Sequence, residues 1–180
     1  IDVDHTDADS DVITYTISGG ADAAKFDIVG STGVVTFKTA PSFEANASAG
    51  GDNDYVIVVT ATDNGTGTLA DSQTITISVT DANEAPVITG GPTATATFAE
   101  NATGTVIDVA HSDVDASSSI AYSLTGSVDD ALFAIVEGTG VVTFISAPDF
   151  ETKLGGTGND SNDYVIEVTA SDGSLSDTQT

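Results

Sequence analysis

Cysteine, methionine, tryptophan and arginine are all absent from this 180-residue chain. Without cysteine there is no disulfide framework and no thiolate metal site. Cations are almost missing too: Lys25, Lys38 and Lys153 are the only ones, against 28 acidic residues, for a formal charge of -25. Neutralising phosphates needs clustered Lys and Arg, so nucleic acid is excluded as a partner, and an anionic membrane surface with it. No apolar run approaches the length of a membrane span, no signal peptide is visible, and direct membrane insertion is not expected. No G-x-S-x-G, H-E-x-x-H, P-loop or dinucleotide fingerprint occurs. High net charge is a mark of disorder, but 39% of the residues are hydrophobic and their pattern is orderly.

What is present is a repeat. IDVDHTDADSDVITYTISG (1–19) matches IDVAHSDVDASSSIAYSLTG (107–126). FDIVGSTGVVTFKTAPSFE (26–44) matches FAIVEGTGVVTFISAPDFE (133–151), and NDYVIVVTATD (53–63) matches NDYVIEVTASD (162–172). LADSQT (69–74) matches LSDTQT (175–180). The offset is 106 at Asp7/Asp113, 107 at Phe26/Phe133, 109 at Tyr55/Tyr164 and 106 again at Leu69/Leu175, as small loop insertions produce.

Each repeat reads as all-β. Tyr164, Ile166, Val168 and Ala170 alternate with polar or smaller residues, as do Ile75, Ile77 and Val79, and Ile120, Tyr122 and Leu124. Period two with β-branched and aromatic residues marks half-buried strands, and the Gly, Asn, Asp and Ser clusters between them suit a sandwich. Six strands are expected in each repeat, where a complete unit has seven. TATATFA (93–99) is read as a strand with no counterpart in repeat 1, which opens inside the next strand. TITISVT (74–80) has no counterpart in repeat 2, so the chain reads as a fragment of something longer. Tyr164 to Ala170 is then expected to be an apolar strand edge open to pairing.

Acidic residues recur at matched places. Asp7/Asp9 and Asp113/Asp115 form D-x-D at a strand end, Glu44 and Glu151 follow Pro-x-Phe, and Asp63 and Asp172 close the long strand. Between the repeats lies TDANEAP (80–86), which could be an active site, a solvated linker or part of a metal cage. Asp and Asn are also ordinary turn residues. In a sandwich, strand ends gather at two poles, so carboxylates of both repeats and of the linker converge. Converged carboxylates without local cations repel, and Ca²⁺ relieves this with six to eight oxygen ligands. Absent cysteine and unclustered histidine argue against zinc and copper, and magnesium prefers fewer protein ligands and more waters. Paired carboxylates also occur in glycoside hydrolases, but here every pair is duplicated, which fits a scaffold and no enzyme. His5 and His111, also duplicated, favour packing or supporting hydrogen bonds. Asp22 lies on a loop outside these clusters, and its removal is expected to affect no ion.

D-x-N-E-x-P between units, A-E-N at the first strand, D-x-D, P-D-F-E and A-x-D together resemble the cadherin repeat, most closely the bacterial cadherin-like repeats of giant secreted (RTX-type) adhesins. The likeness covers essentially the whole chain. It implies two tandem cadherin-like, immunoglobulin-like Greek-key β-sandwiches in an end-to-end array: repeat 1 over 1–80, a Ca²⁺-binding linker over 81–86, and repeat 2 over 87–180. It implies two to three Ca²⁺ ions at the junction. Their ligands are Asp81, Asn83 and Glu84, the carbonyls of Ala82 and Ala85, Glu44 from repeat 1, and Asp113, Asp115 and Asp172 from repeat 2 with a carbonyl near Ser117. Asp7, Asp9 and Asp63 become half of a preceding site, and Glu100, Asp149 and Glu151 half of a following one. Ser42 departs from the pattern, standing where repeat 2 has Asp149. The function implied is a Ca²⁺-stiffened spacer of a bacterial cell-surface or secreted adhesin, with adjacent repeats of the same protein as partners. The alternative is a direct adhesive module for polysaccharide or for a like repeat on another cell. The loops at 50–55 and 156–164 follow the Phe-Glu turn and are candidates for an added ligand.

Overall fold

The computed structural model describes residues 1–115, 119–156 and 161–180. The chain divides into two compact units, Ile1–Ala82 and Asn83–Thr180. Both are all-β apart from two single 3-10 turns, Ala23–Lys25 and Asp130–Leu132.

In the first unit, β1 (Thr14–Gly19), β4 (Asp54–Thr62) and β5 (Ala70–Ser78) form an antiparallel sheet in the order β1-β4-β5. A hairpin of β2 (Phe26–Ile28) and β3 (Val35–Phe37) packs over it. The alternation in β4 decides its orientation. Tyr55, Ile57 and Val59 are buried, while Val56 and Val58 are half-buried. Ile75 and Ile77 of β5, with Val79 beyond it, pack against that core and leave Thr74, Thr76 and Ser78 in solvent.

The second unit contains β6 (Val87–Ile88), β7 (Thr105–Asp108), β8 (His111–Ser112), β9 (Ala121–Leu124), β10 (Phe133–Ile135), β11 (Val141–Phe144), β12 (Val168–Ser171) and β13 (Ser176–Gln179). Its sheets run β10-β11-β7 and β13-β12-β9, with β6 paired to β8. The two larger sheets share a core of Tyr122, Phe133, Val142, Val168 and Ala170.

The matched glycines Gly33 and Gly140 show why the repeat keeps its turn. Both have φ of +75°, and a Cβ there would stand 2.6 Å from the Val3 carbonyl oxygen or 2.4 Å from that of Val109. Only glycine fits both the backbone angle and the contact.

Three expectations are corrected. Residues 93–99 form no strand; Ala94 donates to Thr180 and Thr180 to Pro92, both at 2.9 Å, and no ladder extends beyond. The open edge is shorter than Tyr164 to Ala170, because Val168–Ser171 is paired on both sides, with Leu124–Ala121 and with Gln179–Ser176. The expected six strands per repeat become five in the first unit and eight shorter ones in the second, among the described residues.

Asp22 lies in a turn, and its side chain has a structural role. It is 1% exposed, and its carboxylate accepts from the backbone N–H of Ala49 at 2.7 Å and of Val56 at 2.9 Å. Its counterpart Asp129, 2% exposed, accepts from Gly156 at 3.0 Å and Val165 at 2.7 Å. Each carboxylate ties a distant loop to the long strand segment. Asp22→Ala leaves two part-buried N–H groups unpaired and is expected to lower the stability of the first unit by about 2 kcal/mol, with Asp22→Asn intermediate. Denaturant unfolding checks this.

Candidate metal centre

In the first unit the acidic residues form two groups. Asp7 Oδ1 caps the turn after β-type backbone, accepting from Asp9 N at 2.7 Å and Ser10 N at 2.9 Å. Asp63 closes the turn before β5, accepting from Leu69 N at 2.9 Å. Carboxylate oxygens of Asp7, Asp11 and Asp63 lie within 4.8 Å of one another. Asp9 is exposed and stands outside this group, whereas Asp11, which sequence reading passed over, takes its place. The D-x-D-x-D spacing of Asp7, Asp9 and Asp11 was the available signal.

The other group holds Glu44, which accepts from the Ser42 hydroxyl at 2.9 Å. Its own backbone N–H, then Ser42, with Asp81 also bonded to it, hold the Glu44 carboxyl below the usual range. Ser42 thus orients Glu44 where repeat 2 has an aspartate. Asn53 donates Nδ2 to the Phe43 carbonyl at 2.7 Å, fastening the loop beside Glu44. The Asn53 Oδ1 atom is buried with no hydrogen-bond partner among the described residues. Asn162 makes the equivalent bond to Phe150 at 3.0 Å, while residues 157–160 of that loop lie outside the described residues.

In the second unit, Asp113 Oδ1 accepts from Asp115 N at 2.9 Å. Asp115 Oδ2 accepts from Glu84 N at 2.9 Å. Asn83 donates Nδ2 to Asp172 Oδ2 at 2.7 Å, so the amide turns its nitrogen to Asp172 and keeps its oxygen as an acceptor. Asp172 Oδ1 also accepts from Ser174 and Leu175. The Leu175 N–H, then Asn83 and the Ser174 N–H, hold the Asp172 carboxyl below the usual range against the opposing effect of desolvation. Asp113 Oδ2 is buried with no hydrogen-bond partner among the described residues. Ala82 is exposed and Ala85 half-buried, both outside the strands. Ser117 lies outside the described residues.

Glu100, Asp149 and Glu151 come together, with carboxylate oxygens within 4.8 Å of one another. Glu100 accepts from Phe150 N at 3.1 Å, and Asp149 from Glu151 N and the Thr152 hydroxyl at 3.0 Å each. The Thr152 hydroxyl, then the Glu151 N–H, lower the Asp149 carboxyl. Glu151 has a lowering bond from its own N–H, but its hydrogen bond to Asp149 and the charges of Glu100 and Asp149 outweigh it and push the group up. That repulsion is what a cation relieves.

The two histidines donate to or accept from buried tyrosines: His5 Nδ1 to Tyr15 and His111 Nδ1 to Tyr122, each at 2.6 Å. The duplication places them as supports of the core.

No family profile matches the chain. Against curated proteins it is 32% identical over 164 residues to Protocadherin Fat 1 of Homo sapiens, covering 89% of this chain and 3% of that protein. It is 32% identical over 188 residues to the Protocadherin-like wing polarity protein stan of Drosophila melanogaster, covering 96% of this chain and 5% of that protein. The chain therefore spans a small fraction of the length of these relatives. Among solved structures, Drosophila N-cadherin EC1-4 superposes with a TM-score of 0.63 and 25% identity, over 99% of this chain and 42% of that one. Mouse Cadherin-23 EC22-24 does so with a TM-score of 0.57 and 23% identity, over 93% of this chain and 50% of that one.

Proposed function

From a chain built of cadherin-like repeats, we propose an extracellular, calcium-rigidified spacer module of a large cell-surface or secreted adhesin. The observation that carries the calcium reading is Asp113 Oδ2, a buried carboxylate oxygen with no hydrogen-bond partner among the described residues. It belongs to a bonded series that runs through Asp115 to Glu84, next to which Asn83 bonds Asp172. A buried carboxylate oxygen without a hydrogen-bond partner is disfavoured, and a hard cation is the partner that suits carboxylate and amide oxygens such as those of Asp113, Asp115, Asn83 and Asp172.

The linker supplies the second half. Asp81, bonded to Glu44, and Glu84, whose N–H is held by Asp115, are three residues apart. Chain geometry keeps them within about 11 Å. We assign the ions to Glu44, Asp81, Asn83, Glu84, Asp113, Asp115 and Asp172, with carbonyls of Ala82, Ala85 and the neighbourhood of Ser117, and their number to two or three. Asp7, Asp11 and Asp63, and likewise Glu100, Asp149 and Glu151, serve adjoining repeats, which are the module's direct partners. The linker is 81–86, between repeats at 1–80 and 87–180.

A bacterial surface suits the absence of cysteine and the charge of -25. Direct recognition of polysaccharide, or of a like repeat on another cell, is the less supported reading. Among the described residues the exposed aromatic side chains are Phe43 and Phe150, one in each unit. Among the described residues no helix is long and apolar enough to cross a membrane.

Calorimetric Ca²⁺ titration of single variants tests the assignment. Asp115→Ala is expected to abolish more than one binding event. Asp27→Ala, which removes an exposed carboxylate 3.8 Å from Lys38, is expected to abolish none. Equal stoichiometry in the two variants contradicts the ligand set.

A further inference from the structure

The turn between β4 and β5 is longer than its counterpart in the second unit. It reads TDNGTGTL (62–69), against SDGSL (171–175) between β12 and β13. The added residues bring in Asn64 and Gly65, the one Asn-Gly pair of the sequence. In such a pair the nitrogen of the glycine stands next to the side-chain amide carbon in the chain. Attack of one on the other closes a five-membered ring, and closure within one chain gains the rate advantage of proximity.

The fold supplies what this closure uses. Asn64 Oδ1 accepts from the backbone N–H of Val12 at 3.0 Å. That bond fixes which way the amide faces. It also puts a donor on the oxygen where negative charge develops when the amide carbon is attacked. The attacking atom is the Gly65 nitrogen, whose N–H donates to Asp63 Oδ1 at 3.2 Å, so its proton has an acceptor in reach. Asn64 is exposed, and its Nδ2 makes no hydrogen bond among the described residues, so the leaving group faces water. A Cβ at position 65 would collide with the Asp11 carboxylate. The site therefore holds the residue that leaves the attacking nitrogen least crowded.

The other described asparagines lack this arrangement. Asn46 and Asn101 are exposed, but alanine follows each and crowds the nitrogen with its Cβ. Asn83 and Asn162 commit Nδ2 to Asp172 and to the Phe150 carbonyl. Asn53 is 6% exposed, with Nδ2 on the Phe43 carbonyl.

We propose that Asn64 is a self-modification site, where the folded chain converts its own asparagine to aspartate and isoaspartate. A bond forms between Gly65 N and Asn64 Cγ, and the Cγ–Nδ2 bond breaks. Nδ2 leaves as ammonia, carrying its own two hydrogens and the equivalent of the proton that Gly65 gives up. Water then opens the ring. Cleavage at Cγ gives aspartate; cleavage at the backbone carbonyl carbon gives isoaspartate, with one more carbon in the main chain. One water is consumed for each ammonia released, and nothing is oxidised or reduced. Either product adds a carboxylate next to Asp63, whose oxygen lies within 4.8 Å of those of Asp7 and Asp11. The isoaspartate form also re-spaces the turn to which Val12 is tied.

The test follows the full 180-residue chain and the blocked heptapeptide TDNGTGT, the sequence of residues 62–68, side by side in warm neutral buffer. Samples are digested at intervals and mapped by mass spectrometry, with aspartate and isoaspartate separated by chromatography. Asn64 is expected to convert before every other asparagine. The peptide keeps Asp63 and Gly65 but lacks the Val12 donor, so the folded chain is expected to convert about tenfold faster. The Val12 amide resonance is expected to move in step with the product. Asn64→Gln, where closure needs a larger ring, is expected to stay unconverted at that position. Conversion that begins at another asparagine, a folded chain no faster than the peptide, or a Val12 resonance unmoved by accumulated product overturns the proposal.

Discussion

Chelation of Ca²⁺ is expected to lower the melting temperature of the chain and to free its two units to reorient, while each keeps its β signature. Carboxylates are concentrated at Glu44 and Asp81, at Glu84, Asp113, Asp115 and Asp172, and at Glu100, Asp149 and Glu151. With a formal charge of -25 and three lysines, self-repulsion opposes the compact state. Extracellular calcium modules bind as weakly as about 10⁻⁴ to 10⁻³ M. At roughly 10 mM Ca²⁺ each such ion stabilises the state that binds it by about 1.4 to 2.7 kcal/mol. Each kcal/mol corresponds to about 4–8 °C for domains of this size. A loss of at least several degrees on chelation is the expected outcome by calorimetry. A scattering profile that broadens toward many interdomain arrangements is its structural counterpart. Melting and scattering unchanged by chelator contradict it.

Truncation of matched core residues gives the second large effect. Ile57→Ala removes a side chain that is 0% exposed and covered by Ile75 and Ile77. The expected loss is about 2 to 5 kcal/mol of first-unit stability. Ile166→Ala removes the equivalent side chain, which is half-buried. Its environment is already partly solvated, so the loss is expected to be less than half as large. Hydrogen exchange reports the two units separately within the full chain. Equal losses at Ile57 and Ile166 would contradict this difference in burial.

The fold was legible because its main signals are local. Alternation at Tyr55–Val59 and Ile75–Val79 assigned the core faces, and repetition of whole segments revealed two units of one kind. The acid residues recur in both repeats for the same reason, and in the structure Glu100, Asp149 and Glu151 come together, as do Asp7 and Asp63. What stayed hidden depends on long-range contact. Asp22 reads as a turn residue, and nothing near it in the sequence announces that Ala49 and Val56 donate to it across the unit. TATATFA has a strand's composition, but a strand needs a ladder, and among the described residues Ala94 alone in this segment donates to a backbone carbonyl of a distant residue, Thr180. Asp11 was hidden because repeat comparison sets it against Ser117, so duplication gave no cue to it.

The most direct measurement is a Ca²⁺ titration of the unaltered chain, followed by calorimetry and by backbone amide shifts. The account predicts two or three binding events, completed at millimolar Ca²⁺ or below, with the largest shifts at Asn83, Glu84, Asp115 and Asp172. No saturable heat, or saturable binding that leaves those four amides unmoved, would contradict the assignment of a calcium centre to the linker.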